Sequence, residues 1–275
     1  MSLSGFTLGI AVLTGTLEQK LHAVVAAGFP AIVLGAKDLV GHPRGVAAAA
    51  RAVRKSGLRV SALVELRDFE GLPPAELEYR LEIARSLLEM SLTVRSDLLV
   101  VASSTVPHAS GERQRIAQDL ATLGTLATPL KLRIGYRALP GGRWINDVAA
   151  AAEVVARTDR ENVGLVIDAC NLLVSAAKSI AAVPAGHIFL VQLSGCSGEP
   201  GGAGEAGARR RLFPGEGANA EAVVELVRTL RGAGYVGEFS LEAAGDEYEH
   251  SLPAAVADRA RRSAEWISEQ LRDPG

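Results

Sequence analysis

Eight times along its 275 residues the chain passes from a short apolar run into a longer helical stretch, and this alternation constrains the fold more than any other feature. The runs are Phe6 to Val12, Ala31 to Leu34, Leu58 to Glu65, Asp97 to Ala102, Leu130 to Tyr136, Val163 to Ile167, His187 to Leu193 and Glu238 to Glu242. The stretches after them span about Thr16 to Ala27, Arg44 to Ser56, Pro74 to Leu92, Gly111 to Ala127, Ile145 to Arg157, Leu172 to Ala182, Asn219 to Ala233 and Pro253 to Leu271. The sixth run is aliphatic with almost no polar interruption, so it reads as a strand buried on both faces, as in a parallel sheet covered by helices. Parallel strands need a crossover each, and eight of them close around a filled interior. The prediction is one α/β domain over residues 1–275, a (β/α)8 barrel. An open doubly wound sheet is the second choice; no G-x-G-x-x-G follows the first strand to support a dinucleotide site.

Charge and cysteine usage narrow the class. A formal net charge of −2 gives no basic excess with which to neutralise phosphates, so no nucleic-acid or anionic-membrane surface is expected. Apolar residues make up 48% and charged residues 22%, a globular balance. No uncharged apolar stretch reaches 18 residues and the N-terminus does not read as a signal peptide, so the expectation is cytoplasmic. Cys170 and Cys196 are the only cysteines; they cannot build a disulfide framework or a four-cysteine zinc site and are read as reduced thiols.

In such a barrel the chemistry gathers at the carboxyl ends of the strands. That edge collects Thr14, Lys37, Asp38, Glu65, Arg67, Asp68, Ser103, Ser104, His108, Arg137, Asp168 with Asn171, Gln192 and Glu242. Asp168 ends the sixth run and is equally placed to cap the next helix. Ser194 to Ala218 breaks the pattern of short connections: its glycine-rich half, Gly198 to Gly207, is expected to be mobile. The RRRLFPGEG half reads as a specific turn that can hold an arginine over the mouth.

An acid closing the sixth strand (Asp168), VQLS with Gln192, RLFPGEG from Arg211 and SLEAA with Glu242 together resemble the xylose isomerase-like barrels, the sugar phosphate isomerases and epimerases. RDFEG (Arg67 to Gly71), YRALPGGRWIND (Tyr136 to Asp147) and RLFPGEG are most similar to the bacterial 3-dehydroshikimate dehydratase branch. The resemblance implies one divalent metal on an acid after strand five, an Asp after strand six, a His or Gln after strand seven and a Glu after strand eight. The matching positions here are Arg137, Asp168, Gln192 and Glu242, and arginine offers no acceptor to a cation. The family's histidine three residues after the strand-six Asp is Asn171, a second expected histidine is Trp144, and an acidic pair after strand two is replaced by Val33 and Ala36.

Two carboxylates facing each other without a cation would force one to protonate. The expectation is therefore an ion cluster of Arg137, Asp168 and Glu242 where the metal would be, with no metal and no cofactor; the alternative is an Arg137 that points outward. Arg143, Trp144, Asn171, Gln192 and Arg211 are the expected substrate-binding residues, with Arg211 alternatively pinning its own loop to Glu216. Three functions follow. The first is a metal-independent lyase or isomerase acting beside a carbonyl of a small oxygen-rich metabolite, with Glu242, Asp168, Glu65 or His108 as base and Arg137 as electrophilic donor. Dehydroshikimate dehydration itself is not expected, because residues that carry it are replaced. The second is a barrel that binds a metabolite or partner without turnover. The third keeps a metal through Glu65 or His108 with Asp168 and Glu242. Oligomeric state is not readable, though outer helices of such barrels often associate.

Overall fold

The computed structural model describes residues 3–174, 180, 183–196 and 211–272. Strands β1 (Phe6–Gly9), β2 (Ala31–Gly35), β3 (Arg59–Leu66), β4 (Leu98–Ala102), β5 (Arg133–Arg137), β6 (Val163–Asp168) and β7 (Ile188–Leu193) form seven staves of a barrel. After a two-stranded ribbon, β8 (Gly195–Cys196) with β9 (Arg211–Leu212), strand β10 (Phe239–Leu241) is the eighth stave. Neighbouring staves are parallel, and β10 closes the ring on β1 through the pairs Phe6 with Phe239 and Leu8 with Leu241. The expected (β/α)8 barrel is thus the observed architecture.

The helices outside the ring are α1 (Leu17–Ala26), α2 (Ala36–Val40), α3 (Val46–Ser56), α4 (Pro74–Val94), α5 (Arg113–Ala127), α6 (Val148–Arg157), α7 (Ala169–Val174), α8 (Ala220–Gly232), α9 (Asp246–Glu249) and α10 (Pro253–Gln270). Local chemistry sets several starts. Thr16 and Gln19 form a reciprocal capping box on α1, and Asp147 accepts from the Ala150 amide at 2.8 Å at the head of α6. Pro74 opens α4 and Pro253 opens α10, where proline's missing N–H is harmless. The short α2 and α9 were not expected from the sequence: each is about one turn, too brief for a helical period to show.

Side-chain alternation along the staves divides the core. Val33, Ala62, Leu98, Val100, Val166 and Leu190 form a compact plug inside the ring, while a larger apolar layer lies between ring and helices. Gly135 of β5 belongs to the inner level, since a Cβ there would come within 2.6 Å of Val166. Residues two positions further on face the same way, which brings Arg137, Asp168 and Gln192 to the mouth directly above the plug.

The first stave is shorter than expected: after Gly9 the chain tightens into a 3-10 turn at Ile10–Val12. The reading of two reduced thiols needs correction. Cys170 at the start of α7 and Cys196 on β8 have Cα atoms 6.1 Å apart and are joined as a disulfide. Their separation of 26 residues hides the approach, because the sixth and seventh staves are neighbours only in the folded ring. The glycine-rich Gly198 to Gly207, and residues 175–179 and 181–182 of the expected Leu172 to Ala182 helix, lie outside the described residues.

Candidate active site at the barrel mouth

Five stave ends supply the polar groups of the mouth. Glu65 sits where the pairing of β3 with β4 slips between Val64 and Leu66, and such a bulge re-aims a side chain. One Glu65 oxygen pairs with Arg67 and the other with Arg137. Arg137 also donates to the Gln192 side-chain oxygen at 2.7 Å, and the Gln192 amide donates to Glu242 at 3.3 Å. Ser240, one turn of the pleat below, donates to the same Glu242 oxygen at 2.7 Å. A continuous chain of contacts therefore runs Arg67, Glu65, Arg137, Gln192, Glu242, Ser240.

A second arm crosses from the ribbon. Arg211 of β9 pairs with Asp168 and donates to the Asn171 side-chain oxygen at 3.0 Å. Backbone bonds in both directions between Arg211 and Ala244, at 2.7 and 2.8 Å, hold that arginine in place. Behind it Phe213 is buried edge-on against Tyr248 at 5.3 Å, and Glu216 is gripped by Arg259 through two bonds of 2.9 Å. Glu216 thus serves Arg259 and Tyr248, not Arg211, which excludes the loop-pinning alternative for Arg211. Asp168 caps the helix that follows and also forms an ion pair: one oxygen accepts from the Asn171 backbone amide at 3.2 Å and the other meets Arg211.

The expected cluster of Arg137, Asp168 and Glu242 forms with different partners. Arg137 points into the mouth, but Gln192 stands between it and Glu242, and Asp168 is taken by Arg211. Five donors on a planar guanidinium favour two partners in its plane, and Glu65 and Gln192 occupy those directions. Electrostatics follow the pairing. Burial alone would raise the Asp168 carboxyl, yet Arg211 and then Arg137 outweigh it and hold it below the usual carboxylate range. The Arg211 guanidinium is raised by Asp168. Burial pushes Glu242 up, against the pull of Ser240 and the arginines.

Glycine makes the room for Glu242. Gly9 ends β1 beneath it, and a Cβ at Gly9 would lie 2.1 Å from a Glu242 carboxylate oxygen. Gly9 and Ser240 were not legible as site residues, since neither carries a chemistry-bearing motif.

Other expected site residues stand apart. His108 lies on the surface, paired with Glu76 at 3.0 Å and 56% exposed, because its loop turns outward toward the head of α4. Trp144 is half exposed, donates its indole N–H to the Ala109 carbonyl at 2.7 Å and packs against Gly111. The Arg143 guanidinium stacks on its ring at 4.8 Å. These two form a rim element rather than part of the ion cluster.

Glu70 is a buried group that the sequence reading passed over. It accepts from the Ser104 amide at 2.6 Å and the Tyr136 hydroxyl at 2.8 Å, and its other oxygen has no partner among the described residues. Burial pushes its carboxyl up to about 7, with Asp119 adding to the rise. It ties the loop after β3 to the loop after β4 behind the mouth.

The donor set does not fit a divalent cation. Arg137 brings a cation to the mouth and is paired with Glu65, Asp168 is neutralised by Arg211, and among the described residues no group of three or more His, Cys, Asp or Glu side chains is placed to hold a metal ion. Two buried polar atoms in the mouth, Arg137 Nε and Asn171 Nδ2, have no partner among the described residues, and both are donors. A ligand oxygen would satisfy them, whereas a metal would not.

Comparison with known proteins agrees with this architecture. The chain is 33% identical over 266 residues to 3-dehydroshikimate dehydratase of Pseudomonas aeruginosa, covering 95% of this chain and 41% of that enzyme. It superposes with a TM-score of 0.90 and 27% identity on a xylose isomerase-like TIM barrel/4-hydroxyphenylpyruvate dioxygenase fusion protein, over 98% of this chain and 43% of the other. The chain therefore spans less than half the length of these relatives. The IOLI protein, whose structure holds a zinc atom, shares the fold at a TM-score of 0.84 and 18% identity over 97% of this chain and 99% of that one. A model of the xylose isomerase-like TIM barrel family matches residues 21–270, and the chain belongs to that family.

Proposed function

We propose that the mouth is the active site of a metal-independent enzyme of the lyase or isomerase kind, acting beside a carbonyl of a small, oxygen-rich anion. One observation carries this reading. Of the three mouth carboxylates, Glu65 and Asp168 are locked by arginines, whereas Glu242 is hydrogen-bonded by Gln192 and Ser240 and by no arginine among the described residues. Burial also raises its affinity for a proton. A base with those properties can take a proton from carbon beside a carbonyl near neutral pH. The unpartnered Arg137 Nε and the Asn171 amide are the donors for the developing enolate, and Arg211 and Arg143 supply positive charge for a carboxylate. The dehydratase relative makes a hydroxylated keto acid such as 3-dehydroshikimate the first compound to assay.

The test uses chelator-treated protein with and without added manganese. Turnover that chelation leaves intact, and that Glu242→Gln lowers by about 100-fold or more with KM little changed, is the expected result. Turnover that appears only with the metal would overturn metal independence.

A second reading, a barrel that binds without turnover, draws on one fact. Asp168, which is ion-paired, and Gln192, which is hydrogen-bonded to Arg137, are only 2% and 3% exposed. Ligand binding without product, in a titration followed by mass analysis, would select it.

A further inference from the structure

The ribbon that carries Arg211 is tied to the Asp168 turn twice. One tie is the ion pair from Arg211 to Asp168, with the bond to Asn171 beside it. The other is Cys170 to Cys196. Cys170 lies between Asp168 and Asn171, and Cys196 is the residue that pairs directly with Arg211 across the ribbon. The sulfur bridge thus joins α7 to β8, next to the ion pair that joins β6 to β9. Cys170 is buried and Cys196 half-buried, which makes Cys196 the more accessible of the two. Asn219 orients it, accepting from the Cys196 amide at 2.8 Å and placing its own amide 3.5 Å from the Cys196 sulfur.

We infer that Cys170 and Cys196 are a redox modification site that sets how firmly Arg211 is held over Asp168. The chemistry needs a small-molecule disulfide as oxidant. The Cys196 thiolate attacks one sulfur of that disulfide and expels the first small thiolate, leaving a mixed disulfide on Cys196. The Cys170 thiolate then attacks the Cys196 sulfur and expels the second. The protein loses two thiol protons and two electrons, and the oxidant becomes two thiols. Oxidised, the ribbon is fixed to the head of α7 by a covalent bond in parallel with the ion pair. Reduced, it keeps Asn219, the Ala244 bridge and the contacts of Arg211 but loses the covalent tie.

The inference does not depend on the proposed reaction, and its test needs no substrate. The full chain is prepared reduced with dithiothreitol and oxidised with glutathione disulfide, and thiols are counted after denaturation. Amide hydrogen exchange is then followed at Arg211, whose N–H bonds the Ala244 carbonyl at 2.7 Å. The expected result is two thiols against none, and Arg211 exchange at least fivefold slower in the oxidised protein. Cys196→Ser should abolish that difference. Since a serine variant can fail to fold, an independent readout uses the ring of Trp266, which lies against Gly215 just beyond the ribbon. With Trp144→Phe removing the other tryptophan, Trp266 emission should differ between the two redox states. Two thiols surviving the oxidant, or equal exchange and equal emission in both states, would overturn the inference.

Discussion

At the scale of single residues, Arg137 links two stave ends of the mouth. It brings a permanent positive charge to a position where the family resemblance implies an acid, and it spends that charge on Glu65 and Gln192. Arg137→Glu should reverse the preference, leaving Glu65, Asp168, Gln192, Glu242 and the new carboxylate around one point. We expect the variant to be stabilised by manganese, by about 2.7 kcal/mol at a free concentration 100 times its dissociation constant, while the parent protein is not. Thermal melts with and without the metal read this directly, and equal responses would count against it. The presence of Arg137, Asp168, Gln192 and Glu242 at the mouth was legible from the order of strand ends. Their pairing was not: which acid an arginine chooses depends on ångström-scale placement, and neither the bulge at Glu65 nor the glycine under Glu242 leaves a mark in the sequence. Gly9→Ala should accordingly displace the Glu242 carboxylate, and turnover should fall while the melting temperature falls only modestly; unchanged kinetics would show that the close approach has no role.

At the scale of elements, the loops behind the mouth are joined by buried polar groups, and one of these titrates near neutrality. Glu70 holds the loop after β3 against Ser104 and Tyr136, with Asp119 accepting from the Gly71 amide at 2.8 Å beside it. Its carboxyl stands at about 7 in the fold against 4.5 for the free group, so the folded state binds this proton more tightly. The stabilisation is therefore complete below about 4.5 and is lost as pH rises through 7. A difference of that size corresponds to about 3 kcal/mol. Glu70→Gln keeps an acceptor for Ser104 and Tyr136 and removes the titration. Denaturant melts at pH 5 and pH 8 should then show a smaller loss across that range than in the parent chain, and an equal loss would place the titration elsewhere. The RDFEG stretch carries part of the family resemblance, yet nothing in it distinguishes an exposed glutamate from a buried one. That distinction arises only when β3, β4 and β5 lie side by side and Tyr136, alternating with Arg137, turns away from the mouth. The eight-fold alternation showed the staves and helices because short apolar runs and longer helical stretches recur along the whole chain; α2, α9 and the β8–β9 ribbon are too short to stand out from the loops around them.

At the scale of the whole molecule, the barrel separates its apolar packing from its charged groups, one level above the other along the same staves. Val166 belongs to the apolar plug, and Asp168, two residues further along β6, belongs to the mouth. The plug stabilises by burial, whereas the Asp168 and Arg211 pair carries the desolvation of two charges that only mutual attraction offsets. Removing one partner should therefore be worse than removing both. Asp168→Asn leaves the Arg211 guanidinium largely buried beside a neutral group and is expected to cost about 3–5 kcal/mol. The double change Asp168→Asn with Arg211→Met takes away both charges and keeps the volume, so it should recover most of that loss. Val166→Ala, with no charge involved, should lower stability through its cavity, and Arg211→Met should not rescue it. Urea melts of these four variants and of Arg211→Met alone, with the parent chain, close both cycles. If the double variant is no more stable than Asp168→Asn alone, the ion pair is a net contributor to the fold. Recovery of stability together with loss of anion binding would instead mean that these two charges are held in the mouth for a ligand, at the expense of the barrel that carries them.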